Sequence, residues 1–382
     1  MAETALDPTP ANKVSYPRLD ALRALCFLAV FTIHNFISTD PAMLEHPVIV
    51  LLRDHLFVSG GLGVNVFFVL SGFLITGLLL RERELTGRIH VPHFWLRRVL
   101  RIWPLYFFCV FFGFVLFPAL KSLGGQVPHE SAEPWFYLVF AGNFDVLLHG
   151  TPDATVLFML WSVSVEEQFY AFWPLLLLVI GRRGAPFLFV AVMLFALVFG
   201  LVADDPGAVY LHTFSCISDL AMGALAAWWL TRTGQRERIA AWPAWTIVLI
   251  HVLFIVHFFT RVPMVLQGFH PAPMRLVTSS LAALIILTQS VWTGRACMLP
   301  TAGVLPYLGR ISYGLYCLHP IGCLISMQAM RMAGLQSSLF AVIVLQTAIA
   351  FSVTVALAAA SYRSFELPFL QLKERFAVVH RS

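Results

Sequence analysis

RALCFLAVFTIHNF, residues 23–36, opens on a cation, reaches an imidazole at position 34, and carries ten apolar or weakly polar residues between them. Eleven residues separate Arg23 from His34. An α-helix returns them to nearly one face, about 16 Å apart along its axis. The stretch is therefore read as a membrane helix whose two polar positions share a side. An ionisable group at such depth is costly in lipid and normally faces the bundle interior or a cavity.

The rest of the chain agrees with a membrane setting. Of 382 residues, 59% are hydrophobic and 12% charged, and the mean hydropathy is +0.80. A soluble domain carries roughly a quarter charged residues, so the composition excludes one. Apolar runs long enough for a hydrocarbon core of ~30 Å fall near residues 20–38, 62–80, 99–118, 158–180, 186–203, 211–230, 242–260, 275–293, 308–330 and 338–360. The expected fold is all-α, a polytopic integral membrane protein with about ten transmembrane helices.

Loop charge orients the runs. Residues 81–101 hold Arg81, Arg83, Arg88, Arg97, Arg98 and Arg101, which the positive-inside rule places in the cytoplasm. Two runs precede that loop, so both termini are expected to be cytoplasmic. GRRG at 181–184 and TRTGQRER at 231–238 then fall inside, and VADDPG at 202–207 outside. The apolar segment 134–148 is too short to span and reads as interfacial or re-entrant. The first run, preceded by a polar, proline-containing segment, reads as a retained helix and not as a signal peptide.

The net charge of +5 follows from this loop asymmetry, and no nucleic-acid partner is expected. The six cysteines show no ligand spacing, so neither a disulfide framework nor a metal site is expected.

Further polar positions recur inside the runs. Glu166 and Glu167 are expected in the outer part of their helix, at the depth of His34, where a carboxylate would orient the imidazole. Arg98 and Arg101 share a helical face by i, i+3 spacing. With Arg23 they could form a cationic mouth suited to phosphates, and Trp103–Pro104 permits a local break that could aim them inward. Asn65 and Ser71 punctuate a glycine-containing run, while Asp219 and His319 are buried polar positions.

Six stretches, in order, resemble the membrane-bound acyltransferase 3 family of sugar and polysaccharide O-acyltransferases. They are RLDALRALCFLAVFTIHN, GVNVFFVLSGFLIT, FWLRRVLRIWP, LWSVSVEEQFYAFWPLL, LGRISYGLYCLHP and YRSFELPF. The resemblance implies a transmembrane acyltransferase domain over 18–369, with cytoplasmic tails at 1–17 and 370–382, in the bacterial cytoplasmic membrane. It makes His34 the catalytic histidine, with Arg23 as its motif partner and Arg98 and Arg101 on the side of an acyl-CoA donor, acetyl-CoA being the favoured one. From the pattern of buried polar positions, Glu166 and Glu167 are expected to assist His34, Arg23 to join the donor-binding arginines, and Asn65, Ser71 and His319 to line the substrate site. Asn65 stands where many relatives have Asp.

The implied partners are acyl-CoA, a sugar or glycan acceptor, and membrane lipids. His34 would act as general base or carry the acyl group itself. A small hydroxylated metabolite such as a macrolide is the alternative acceptor. A transporter using the buried His, Glu and Arg for ion coupling is the alternative class.

Overall fold

The computed structural model describes residues 13–14, 16–36 and 38–381. Most of the N-terminal tail and Ser382 thus lie outside the described residues. Nine long helices carry the architecture: α1 Pro17–Asn35, α2 Leu62–Thr86, α3 Val91–Phe111, α4 Thr155–Val202, α5 Thr213–Leu230, α6 Ala244–Leu266, α7 Pro271–Val291, α8 Ser312–Met332 and α9 Gln346–Ser361. Each apolar run recognised in the sequence lies mainly on one of them. The one extended pairing among the described residues is a two-residue parallel bridge of Lys13–Val14 with His380–Arg381.

Seven helical stretches are long and apolar enough to cross a membrane, and Thr155–Val202 is one of them. That helix is a hairpin. Gly181, at φ 71°, breaks it, and Trp173 stacks on Phe189 with ring centroids 5.3 Å apart. A straight helix would hold those rings about 24 Å apart, so the limbs 155–180 and 182–202 fold back on each other. Helices α1 and α8 are not among the seven. Both carry more polar residues, and both contribute to the site below.

The segment 134–148 forms two short helices, Pro134–Leu138 and Gly142–His149, each too short to span. Pro104 does not break α3, which continues through it to Phe111. Neighbouring helices re-satisfy backbone groups freed by a proline in such a bundle, and the break that Trp103–Pro104 permits is not taken.

Close packing around α2 sets the geometry of the centre. A Cβ on Gly72 would lie 1.9 Å from the Leu220 carbonyl oxygen, and one on Gly223 would lie 2.0 Å from that of Val69. Only glycine permits this contact between α2 and α5. The exterior is apolar by contrast: Val179, Phe187, Val202 and Trp245 are exposed, as a lipid-facing surface requires.

Candidate active site

A cavity of about 160 Å³ lies among α1, α2, α3, α4 and α8 and the segment after α9. Exposed Glu374 and partly buried Lys373 and Ala377 bound one end; buried Ser162 and Tyr316 bound the other. Ser162, Glu166 and Tyr170 line it at four-residue spacing along one face of α4. Arg23, Arg98 and Arg101 line it from α1 and α3.

The arginines divide by partner. Arg97 is consumed by the fold: it pairs with buried Glu82 at 2.9 Å and donates to the Phe376 carbonyl at 2.6 Å. Arg23 pairs with Asp20 at 2.7 Å. Among the described residues, neither Arg98 nor Arg101 has a carboxylate within ion-pairing distance. Arg98 lies over the rings of Phe94 and Tyr170, 5.8 Å from each centroid, and its buried Nε has no hydrogen-bond partner. Buried donors are normally satisfied. A planar guanidinium left in this state suits a bidentate anion.

The two glutamates separate. Glu166 lines the cavity and accepts a hydrogen bond from Ser71 Oγ. Glu167 turns toward α3, where Trp103 Nε1 donates to its Oε2 at 2.8 Å. Neither contacts His34, which corrects the expectation of a shared depth. Helix α4 begins at Thr155, so Glu166 sits about 16 Å along it, level with the arginines, whereas His34 occupies the last turn of α1.

The partner of His34 is His319. Its Nε2 lies 3.4 Å from His34 Nδ1, and the ring centroids are 5.2 Å apart. His319 Nδ1 lies 2.6 Å from the Tyr316 carbonyl oxygen, and His34 Nδ1 lies 2.9 Å from that of Val30. Carbonyl oxygens only accept, which assigns an N–H to both Nδ1 atoms. His319 Nε2 is then an acceptor facing the His34 N–H, and His34 Nε2 keeps its lone pair. The Val30 carbonyl and His319 Nε2 thus together hold His34 in the tautomer a general base needs.

Tyr316 joins the two parts. Its hydroxyl hydrogen-bonds Ser162 at 2.7 Å at the cavity's end, and its ring lies 5.9 Å from that of His319. Neither residue was singled out in the sequence. Their spacing carried a signal: Tyr316 precedes His319 by three positions, and Ser162 precedes Glu166 by four. Ser71 lines the cavity, and Asn65 does not. Its Nδ2 donates to Asp219 Oδ2 at 2.8 Å in a separate cluster, where Arg275 also holds Asp219 at 2.9 Å.

The family model described as an acyltransferase domain, acyltransferase 3, matches residues 16–363. The chain belongs to the acyltransferase 3 family. Among relatives of this acyltransferase family member, a Staphylococcus aureus protein named "Putative O-acetyltransferase" is 27% identical over 337 residues, covering 81% of this chain and 51% of its own length. The peptidoglycan O-acetyltransferase OatA of Listeria monocytogenes is 28% identical over 328 residues, 79% of this chain and 48% of that protein. The chain spans about half the length of the curated relatives it matches. A comparison with solved structures gave no match.

Proposed function

We propose that this chain is a membrane O-acetyltransferase that takes an acyl group from cytoplasmic acyl-CoA and delivers it to a hydroxyl of a glycan or glycan precursor. The observation that carries the reading is the polar line from Arg98 and Arg101 through Glu166, Ser162 and Tyr316 to the His319–His34 pair. It begins where phosphates would bind and ends at a base.

In this reading the CoA phosphates rest on Arg23, Arg98 and Arg101, and the acyl end extends toward Tyr316. His34 Nε2 removes the proton of the acceptor hydroxyl as its oxygen attacks the thioester carbonyl. The C–S bond then breaks, and the imidazolium returns the proton to the departing thiolate. Acceptor ester and free CoA result. An acyl group carried transiently on His34 would use the same nitrogen.

A ten-crossing topology with both termini cytoplasmic belongs to the proposal. It counts both limbs of α4 and adds α1 and α8 to the other six apolar stretches. The Listeria relative's name, with its peptidoglycan acceptor, supports a cell-envelope glycan.

The test is transfer of label from radiolabelled acetyl-CoA by the purified chain in proteoliposomes supplied with isolated envelope glycan. His34→Ala should lower transfer about 10²–10⁴-fold, the range for loss of a general base. Unchanged transfer in that variant would refute the assignment. Solute uptake without labelling would favour a carrier.

A further inference from the structure

A second cavity lies on the lipid side of α1. It is an almost wholly apolar groove of about 320 Å³ between α1 and α6, lined by Leu22, Cys26 and Ala29 on one wall and Phe254, Ile255 and Phe258 on the other. It follows α6 from His251 to Phe259, about 12 Å. Ile255 is 54% exposed and Leu25 40%, so the groove opens sideways.

The next residue of this α6 stripe, one turn beyond Phe258, is Arg261. The residue is partly buried, and its guanidinium donates to Asn65 Oδ1 at 3.4 Å. Asn65 in turn stands one turn from Leu62 of the groove wall. Behind Asn65 lies the Asp219–Arg275 pair, with Arg275 also donating to the Val209 carbonyl at 2.9 Å. This cluster holds two guanidiniums and one carboxylate. Asp219 receives its bonds from Asn65 and Arg275 on Oδ2, and Oδ1 is without a partner. Moving Arg261 onto Oδ1 would still leave one positive charge in excess. An uncompensated cation in such surroundings is costly, and an anion relieves the cost.

The Arg261 end of the groove is also the His34 end of α1. Helix α6 packs on the turn Val58–Gly61, and a Cβ on Gly60 would meet Ala29 and Ile33, the turn that leads into His34. We infer that this groove binds the hydrocarbon chain of a single-chain lipid phosphate, with the phosphate on Arg261 and the acceptor sugar attached beyond it. The inference rests on the proposed acyl transfer for the role of that lipid as acceptor carrier. The binding itself does not.

The test is native mass spectrometry of the purified full chain in detergent, with geranylgeranyl monophosphate and, as the uncharged control, geranylgeraniol. The phosphate should be held roughly tenfold more tightly, the scale of one charge-assisted contact. Arg261→Gln should erase that preference and Arg261→Lys retain most of it, which separates loss of charge from loss of fold. Ile255→Trp, filling the groove from its exposed side, should weaken both probes. A preference that survives Arg261→Gln, equal retention of phosphate and alcohol by the unaltered chain, or full binding by Ile255→Trp would each overturn the inference. Because the readout needs no transfer, His34→Ala should bind both probes normally, and failure of the acyl-transfer reading would leave this result standing.

Discussion

Two buried arginine sites in one molecule are built on opposite plans. In the Asp219–Arg275 pair, Arg275 is 3% exposed and gives its N–H groups to a carboxylate and to backbone carbonyls. At the cavity between α1 and α3, Glu166 and Glu374 share the lining, but among the described residues no carboxylate lies within ion-pairing distance of Arg98 or Arg101 and Arg98 Nε has no hydrogen-bond acceptor. Desolvating a guanidinium is expensive in both places. Where the fold supplies the counter-charge, the arginine holds helices together. Where it does not, the site is kept ready for an anion from outside.

This contrast can be broken experimentally, and the largest effect should come from the line that starts at the unpaired arginines. His34→Ala ends that line and should give the 10²–10⁴-fold loss of transfer already described, with the chain folding normally. On the paired side, Asp219→Ala leaves Arg275 buried and unpaired. It should cost about 3–5 kcal/mol, read as a large fall in thermal stability in detergent and poor accumulation in membranes.

His319→Phe removes one of the two acceptors around the His34 N–H, leaving the Val30 carbonyl, while keeping a ring in place. The lost bond to a developing cation is worth about 1.5–3 kcal/mol. It should lower kcat about 10–100-fold with little change in KM for acyl-CoA; an equal rise in KM would show that His319 acts on donor binding instead. Arg98→Lys keeps the charge and loses the planar fork. It should raise KM for acyl-CoA about tenfold and leave the melting temperature unchanged, the reverse of Asp219→Ala.

The smallest effect belongs to a pair at the rim. Asp153 accepts two hydrogen bonds from Lys121 Nζ, at 2.7 and 2.6 Å. Burial pushes its carboxyl up, but Lys121 and the His129 backbone N–H outweigh that and hold it below the usual aspartate range. A depressed carboxyl contributes stability above its unfolded value and loses it as pH falls through the folded one. Asp153→Asn should therefore cost less than about 1 kcal/mol near neutrality, and the difference from the unaltered chain should begin to shrink only as the pH falls below about 4.

The helices were legible because apolar runs of membrane length leave a strong signal. So was the grouping of Arg23, Arg98 and Arg101, since i, i+3 spacing and helix periodicity fix which face a side chain occupies. The partner of His34 was not. Helix start positions decide depth, and a start three residues before the apolar run puts Glu166 beside the arginines and leaves His319, nearly three hundred residues away in sequence, to meet His34. The partners of Asn65 were hidden for a related reason: a polar residue in a run announces burial, but only the packing of α2 on α5 shows that it faces Asp219. The hairpin at Gly181 was expected as a loop, and a single glycine at positive φ makes a far sharper turn than GRRG suggests.

The wall of the arginine-lined cavity has a consequence for how the molecule comes to exist. Arg23 lies on α1 and Lys373 and Ala377 follow α9, with Arg97 tying that last segment down through the Phe376 carbonyl. Residues from the first and last parts of the domain must meet before the cavity has both walls. Domains emerge from synthesis N-terminal part first, so a half-inserted chain presents its unpaired arginines without the enclosure that would give them selectivity. Assembly of the bundle and enclosure of its unpaired arginines arrive together.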